Sequence, residues 1–168
     1  MLALIDPSSP ELPLLMLRRS RTMRSHPGQF ALPGGAHMES DGPLWRTALR
    51  ESEEELGVPE NAVEPMGYAD SVKVTHSGFL VTPVVGLLRD RFAPRLQPEE
   101  AEESFWLPLL DRTGTLRLEQ RSVTLLDGPT EVPGYLYEGH FIWGATGRIL
   151  DDLRWRLGAA PSRPRPSQ

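Results

Sequence analysis

The segment between Pro43 and Pro59 constrains the fold of this chain more than any other. Small and apolar residues recur there at the spacing of a core-facing helical stripe: Trp45, Ala48, Leu49, Ser52 and Leu56. Pro43 suits the first position of a helix, and Gly57 suits the left-handed residue that ends one. The pattern therefore predicts an amphipathic helix over residues 43–56, which must bury its stripe against another layer of structure.

The remaining apolar segments predict several strands and a second helix. Strand-like segments lie at residues 12–17, 79–88 and 135–141, a short helix or strand at 99–105, a helical turn at 108–111, and a hairpin or paired strands at 115–126. Pro83 indicates an edge strand or a bulge. The second amphipathic helix is predicted over residues 144–157, with Ile149, Leu150, Leu153 and Leu157 on one side. Strands mixed with two substantial helices indicate an α/β or α+β sandwich.

Length and composition favour a single domain. The chain has 168 residues, and we expect residues 1–158 to form one domain. Residues 159–168, which are rich in proline, serine and arginine, are expected to form a disordered tail. The sequence has no long apolar run and no signal-peptide pattern, so we expect a cytoplasmic protein without a membrane partner. Nothing in the sequence indicates its oligomeric state.

Composition also excludes some kinds of chemistry. Because cysteine is absent, disulfides, thiolate catalysis and cysteine-ligated zinc are excluded. The net charge of -5 argues against general nucleic-acid binding. It still permits a polyanionic small-molecule substrate, because bound divalent cations can supply local positive charge.

Three glutamates on the predicted helix are central to the functional prediction. Glu51 lies three residues before Glu54 and four before Glu55, so the three carboxylates share one helical face. Their mutual repulsion is relieved by a hard divalent cation with oxygen ligands. Arg50, four residues before Glu54, can pair with that glutamate and fix its orientation.

The alternative interpretation is that the glutamate run is only a solvated helix face, as most charge runs are. The segment before the helix favours the metal site. Gly34 and Gly35 allow a backbone to approach a phosphate closely, because neither carries a side chain.

These residues resemble the motif of the Nudix hydrolases. The resemblance is carried by Gly35, Arg50-Glu51, Glu54-Glu55 and Gly57-Val58. Two positions depart from the motif. Asp41 stands where the motif has its first glutamate, with eight residues instead of seven before Arg50, and Ser52 stands at a usually apolar position.

The resemblance implies a Nudix fold, in which a mixed β-sheet lies between helices and the motif forms a loop-helix-loop. It implies metal-assisted attack of water on phosphorus, with Mg²⁺ or Mn²⁺ held by Glu51, Glu54 and Glu55. In that interpretation Glu54 and Arg50 also belong to the catalytic group, and Gly34 and Gly35 contact the substrate.

Three further segments resemble the coenzyme A pyrophosphatase branch of this superfamily: residues 14–35, 78–86 and 142–150. Aspartate with one extra residue in the motif is also common in that branch. The implied substrate is coenzyme A, cut to 3′,5′-ADP and 4′-phosphopantetheine. ADP-ribose, a dinucleoside polyphosphate or a nucleoside triphosphate stays open as an alternative. A non-catalytic Nudix-fold binding module is disfavoured, because such modules tend to lose the glutamates that are present here.

The resemblance also implies residues outside the motif. Enzymes of this superfamily need a further acidic group, and by position Glu100 and Glu103 are the candidates for general base or extra metal ligand. Among the arginines at positions 18, 19, 21 and 24, we expect Arg19 and Arg24 to bind phosphate, since guanidinium groups match phosphate oxygens. His26 either contacts the substrate or is a turn histidine without a role. Trp143 either stacks on a base or packs in the core.

Overall fold

The computed structural model describes residues 1–74, 78–125 and 127–159. In chain order, the elements of these residues are β1 Leu2–Ile5, β2 Pro13–Arg19, β3 Phe30–Ala31, α1 Leu44–Leu56, β4 Val63–Tyr68, β5 Val72–Lys73, β6 Leu80–Val81, β7 Val84–Leu88, β8 Ala101–Pro108, β9 Arg117–Leu125, β10 Gly128–Tyr137, β11 His140–Trp143 and α2 Gly144–Arg156. Short 3₁₀ turns at Glu39–Asp41 and Glu60–Ala62 precede α1 and β4.

The central sheet is mixed and is built around β2. Strand β8 runs antiparallel along one edge of β2, while β1 and β3 share the other edge. Strand β1 pairs in parallel with β7, which pairs antiparallel with β4. Strands β9, β10 and β11 form a separate antiparallel sheet, and β5 and β6 form a small ladder. The single parallel pair in the central sheet makes its topology mixed, as predicted.

The two faces of the central sheet are covered by different helices. Leu15 and Leu17 of β2 pack in the cluster that contains Ala48 and Leu49 of α1. The alternate β2 residues Leu14 and Met16 pack in the cluster that contains Ile149, Leu150 and Leu153 of α2. Since successive side chains of a strand point to opposite faces, one apolar strand supplies both cores. The predicted arrangement of a sheet between two helices is confirmed.

Helix α1 follows the sequence prediction closely. It begins at Leu44, one residue later than predicted, because Pro43 is extended and caps the helix instead of opening it. The predicted stripe is correct, since Ala48, Leu49, Ser52 and Leu56 are buried and Trp45 is partly buried. Gly57 has φ 65° and ψ 29°, the left-handed conformation expected of a residue that ends a helix.

Helix α2 ends at Arg156, one residue before its predicted end. Ile149, Leu150 and Leu153 are buried as predicted. The prediction that Leu157 lies on the same buried side is wrong, because Leu157 falls beyond the last helical turn and is exposed.

Several predicted strands have different bounds in the structure. The segment 79–88 is divided by Pro83 into β6 and β7, which belong to different sheets. The segment 135–141 is two strands, because the chain turns at Glu138-Gly139 between β10 and β11. The segment 115–126 contributes β9, whose hairpin partner is the following strand β10.

The segments 99–105 and 108–111 lie at the two ends of β8. The segment 99–105, predicted as a helix or strand, becomes β8 from Ala101. The helical turn predicted at 108–111 is wrong, since Pro108 ends β8 and only a turn follows at Leu109-Leu110. The strand β1 was not predicted from the sequence.

Nine of the ten residues of the predicted tail, 160–168, lie outside the described residues, and so does His76. Among the described residues, no helix is long and apolar enough to cross a membrane.

Candidate active site

Glu55 is a buried carboxylate on the side of α1 that faces β2. Its residue is 3% exposed, and its Oε2 accepts a hydrogen bond of 2.8 Å from the backbone N–H of Gly34. Burial raises the pKa of Glu55 to about 7, and the negative charges of Glu51 and Glu100 act in the same direction. The Gly34 hydrogen bond and the charge of Arg19 oppose this rise. Burial is therefore the main cause of the raised pKa.

The two glycines before α1 are required by the packing of this site. A Cβ atom on Gly35 would overlap the carboxylate of Glu51. Gly34 has φ 138°, and a Cβ there would lie 2.5 Å from the Cα of Met1. The Glu51 carboxylate thus fills the place that a side chain at position 35 would take, and it lies directly against the glycine turn.

Arg50 connects the loop before α1 to two of the glutamates. Its Nε and Nη2 donate to the two carboxylate oxygens of Asp41, at 3.0 and 3.1 Å. Nη2 also lies 2.8 Å from Glu51 Oε1, and Nη1 lies 3.1 Å from Glu54 Oε2. The Glu54 side chain is 52% exposed, so this guanidinium holds it at the helix surface. Such a forked arrangement fixes orientation as well as charge.

Asp41, at the position of the first motif glutamate, is fully engaged by donors. Hydrogen bonds from Arg50 hold the pKa of the Asp41 carboxyl well below its usual range, and the backbone N–H of Met38 and the hydroxyl of Thr47 act in the same direction. Its side chain is 6% exposed. Asp41 therefore orients Arg50, and through it Glu51 and Glu54.

The two acidic candidates outside the motif lie on opposite faces of the central sheet. In the β2–β8 ladder, Arg18 is opposite Glu103 and Arg19 is opposite Ala101, so Glu102 forms a bulge. Glu103 shares the face of Phe105, which α2 covers. There, Glu103 Oε1 lies 2.8 Å from His140 Nε2.

Glu100 lies before the bulge and on the side of α1. Its backbone oxygen accepts a hydrogen bond of 2.9 Å from Ser20 N–H, which fixes it beside the end of β2. The negative charge of Glu100 contributes to the raised pKa of Glu55. The neighbouring residue Gln97 donates its N–H to the backbone oxygen of Glu55 at 3.0 Å, so this turn is attached to the end of α1.

The predicted phosphate-binding residues are placed differently from one another. Arg19 lies on the α1 face of β2, where its charge acts on Glu55. Arg24 and His26 belong to an exposed loop that the Gly28 N–H ties to the Arg19 oxygen at 3.1 Å. His26 has φ 53°, and its Nδ1 lies 3.1 Å from Gln29 Oε1. Of these three residues, Arg19 is therefore the one whose charge acts on Glu55.

The donor set suits a hard divalent cation. Within residues 1–74, 78–125 and 127–159, no three acidic or histidine side chains are already arranged around a common ion position. However, Glu51 and Glu55 adjoin the glycine turn, and their oxygens are ligands that Mg²⁺ and Mn²⁺ prefer. The raised pKa of Glu55 shows a carboxylate whose ionised form a bound cation would stabilise. The residues present thus fit such an ion.

Sequence reasoning missed three polar residues near these groups. Thr47 and His37 adjoin Asp41, and His140 pairs with Glu103. Thr47 lies three residues before Arg50, so helical spacing alone places both on one face, and this was the available signal. Trp143 is half-buried at the start of α2.

Sequence comparison with known proteins identifies the family of this chain. The NUDIX domain family matches residues 1–126, three quarters of the chain. The chain belongs to the Nudix family. It is 37% identical over 144 residues to a Nudix hydrolase NudL, named as uncharacterized, of Photorhabdus laumondii, covering 86% of this chain and 76% of that protein. A NudL of Salmonella paratyphi B is 36% identical over 152 residues, covering 90% of this chain and 79% of the relative.

Solved structures show the same Nudix fold. The Nudix hydrolase RenU of M. smegmatis matches with a TM-score of 0.56 and 19% identity, covering 98% of this chain and 87% of RenU. The NUDIX domain of Shewanella oneidensis NrtR, complexed with ADP ribose, matches with a TM-score of 0.56 and 20% identity, covering 93% and 84%. The protein is therefore a Nudix hydrolase of nucleoside diphosphate-linked substrates, in a family that generally uses divalent metal ions.

Proposed function

We propose that this Nudix hydrolase cleaves the diphosphate of coenzyme A or an acyl derivative, using Mg²⁺ or Mn²⁺. One water is added across the P–O–P linkage, and the products are 3′,5′-ADP and 4′-phosphopantetheine. The observation that carries the hydrolytic part is the placement of Glu51 and Glu55 against the Gly34-Gly35 turn, with the charges of Arg19 and Glu100 acting on Glu55.

In this proposal, Glu51, Glu54 and Glu55 hold the cation. When bound, the cation polarises phosphoryl oxygens, lowers the pKa of the attacking water and screens the anionic substrate from the carboxylates. Arg50 keeps Glu51 and Glu54 in place through its pair with Asp41. Mutual repulsion of these carboxylates is only partly offset by Arg50, and a bound cation would offset the rest.

Glu100 is the better candidate for the group that orients or deprotonates water. It lies on the face of Arg19 and acts electrostatically on Glu55, whereas Glu103 is engaged by His140 on the opposite face. A general base must reach the water within hydrogen-bond distance or through one intermediary. The turn that carries Glu100 is attached by backbone hydrogen bonds both to the end of α1 and to Ser20.

The coenzyme A part rests on the resemblance of residues 14–35, 78–86 and 142–150 to the corresponding branch. Coenzyme A carries a 3′-phosphate in addition to its diphosphate. Arg19 ends β2 and Arg24 and His26 follow it in an exposed loop; in this proposal they supply the donors that such a substrate needs.

A second candidate substrate is ADP-ribose. The NrtR domain, which shares the fold, was solved with ADP ribose. ADP-ribose has the same diphosphate but no 3′-phosphate, so the arginine-rich loop would contribute less to its binding.

The test is a comparison of kcat/KM for coenzyme A, acetyl-coenzyme A, ADP-ribose and ATP with Mg²⁺ and with Mn²⁺. We expect coenzyme A or its thioester to be preferred by at least about tenfold, which corresponds to about 1.4 kcal/mol. Glu55→Gln, prepared identically, controls for a contaminating hydrolase. Labelled oxygen from water should appear in one phosphate product. A clear preference for ADP-ribose would refute the coenzyme A assignment and leave the Nudix assignment intact.

A further inference from the structure

The orientation of Asp41 is fixed by hydrogen bonds from other groups as well as from Arg50. Its Oδ2 accepts hydrogen bonds from Arg50 Nη2 at 3.1 Å, from the Met38 N–H at 3.1 Å and from the Thr47 hydroxyl at 2.9 Å. Its Oδ1 accepts from Arg50 Nε at 3.0 Å. A carboxylate offers about four lone-pair positions, so each donor present fixes part of its orientation.

The Thr47 hydroxyl is held from its other side by His37. A hydroxyl has one proton, and Thr47 donates it to Asp41. The contact of 2.8 Å between His37 Nδ1 and Thr47 Oγ1 must then have the ring nitrogen as donor. His37 therefore donates to Thr47, and Thr47 donates to Asp41. Arg50 donates to the same Asp41 carboxylate.

We propose that Thr47 is a positioning residue for the metal-binding glutamates, with His37 in a smaller supporting role. Thr47 and Arg50 are three residues apart on α1, so hydroxyl and guanidinium reach Asp41 from one helix face. Thr47 is 4% exposed, which removes competing water. By holding Asp41, Thr47 keeps Arg50 on the loop side, where the same guanidinium orients Glu51 and Glu54.

Removal of the hydroxyl has a specific consequence. Asp41 would be left with one donor fewer, and its bidentate pair with Arg50 would loosen. Arg50, which contacts Glu51 and Glu54 at 2.8 and 3.1 Å, would then be held less firmly, and the two carboxylates would lose their fixed orientation. Restoring that orientation on metal binding would cost free energy, so the affinity for the cation would fall. The role of metal ligand assigned to these glutamates is taken from the proposed function.

The test measures Mn²⁺ binding to the full chain by electron paramagnetic resonance, without substrate. We expect Thr47→Val, which keeps the shape, to weaken Mn²⁺ binding about tenfold, as is typical for partners of metal ligands. Thr47→Ser should restore it, and His37→Ala should weaken it about threefold. Thr124→Val, in the exposed part of β9, is the matched control and should bind as the wild type does. Unfolding temperature is measured for every variant.

The outcomes separate this inference from the proposed function. Unchanged Mn²⁺ binding by Thr47→Val, or a Thr47→Ser variant as weak as Thr47→Val, would overturn the positioning role. If Thr47→Val does not fold, His37→Ala decides, because its side chain lies at the surface; wild-type affinity would then refute the proposal. A wild-type protein that binds Mn²⁺ but cleaves no coenzyme A would contradict the proposed substrate while leaving the metal-binding comparison valid.

Discussion

The two faces of the central sheet place their carboxylates in different electrostatic surroundings. On the α2 face, Glu103 is paired with His140, whose ring stacks on Phe105 at 4.4 Å between centroids. On the α1 face, burial and the charges of Glu51 and Glu100 raise the pKa of Glu55 to about 7. Glu103 has His140 as a hydrogen-bond partner, whereas Glu55 is buried, with the charges of Arg19, Glu51 and Glu100 acting on it.

Strands β2 and β8 contribute side chains to both faces. The bulge at Glu102 separates Glu100, on the α1 side, from Glu103, on the α2 side. On the α2 face, aromatic rings pack against His140, which contacts Glu103. The α1 face keeps an excess of negative charge next to a glycine turn, which costs stability unless a cation binds there. Under the proposed function the α1 face is the reactive one, and variants on the two faces test that difference.

The largest effect is expected from the glutamates of α1. Glu55→Gln or Glu54→Gln should lower kcat at least about 1000-fold, because each removes a ligand charge from the cation that the reaction needs. Glu103→Gln, the same change on the opposite face, should stay within about threefold of wild type. Steady-state kinetics at saturating Mg²⁺ makes the comparison, and near-normal turnover in both α1 variants would contradict it.

Glu100→Ala should lower kcat about 100-fold, the usual contribution of a general base. Its exposed neighbour Glu99→Ala is the matched control and should have little effect. Glu103→Ala and the Glu100/Glu103 double variant complete the series. If the double variant keeps full activity, the water is activated by a group elsewhere.

A stability effect of roughly 3 kcal/mol is expected from Glu55 in the metal-free protein. Because its folded pKa of about 7 exceeds the model-peptide value of 4.5, stability falls as pH rises between these values. Glu55→Gln cannot ionise, so it should be more stable than wild type at pH 8 and similar at pH 4. Urea unfolding at both pH values measures this difference, and Mg²⁺ should reduce it at pH 8. Equal stability of wild type and Glu55→Gln at both pH values would show that the folded protein does not destabilise ionised Glu55.

The smallest effect is expected from Asp111, in the turn after β8. Partial burial acts to raise its pKa, but hydrogen bonds from the N–H groups of Leu116 and Thr113 and from the threonine hydroxyls outweigh it, giving a pKa of about 2. This stabilisation is present above pH 3.8 and is lost as pH falls toward 2. Asp111→Asn should cost no more than about 1 kcal/mol at pH 7, with activity unchanged.

The helix that carries the site was predictable because its signals are local. The stripe from Ala48 to Leu56, the proline before the helix and the left-handed Gly57 all act within a few residues. The same local spacing placed Glu51 and Glu55 together and put Arg50 next to Glu54. For these residues, helical geometry alone carries the prediction.

Other parts of the site depend on pairing across the chain. Whether Glu100 or Glu103 faces α1 is decided by the bulge at Glu102, which exists only in the ladder with β2. The strand β1 is recognisable only through its parallel partner β7. The role of Thr47 required knowing where the loop brings Asp41. Sequence spacing contains none of these contacts, because each is set by residues far apart or by an irregular loop.

The central claim is that the carboxylates of Glu51, Glu54 and Glu55 on the α1 face hold a divalent cation. Mn²⁺ titration of wild type, Glu51→Gln, Glu55→Gln and Glu103→Gln, followed by electron paramagnetic resonance, tests it most directly. We predict that the two α1 variants lose at least about tenfold in affinity, while Glu103→Gln binds as wild type does. Equal Mn²⁺ affinity in all four proteins, or a loss confined to Glu103→Gln, would contradict the claim.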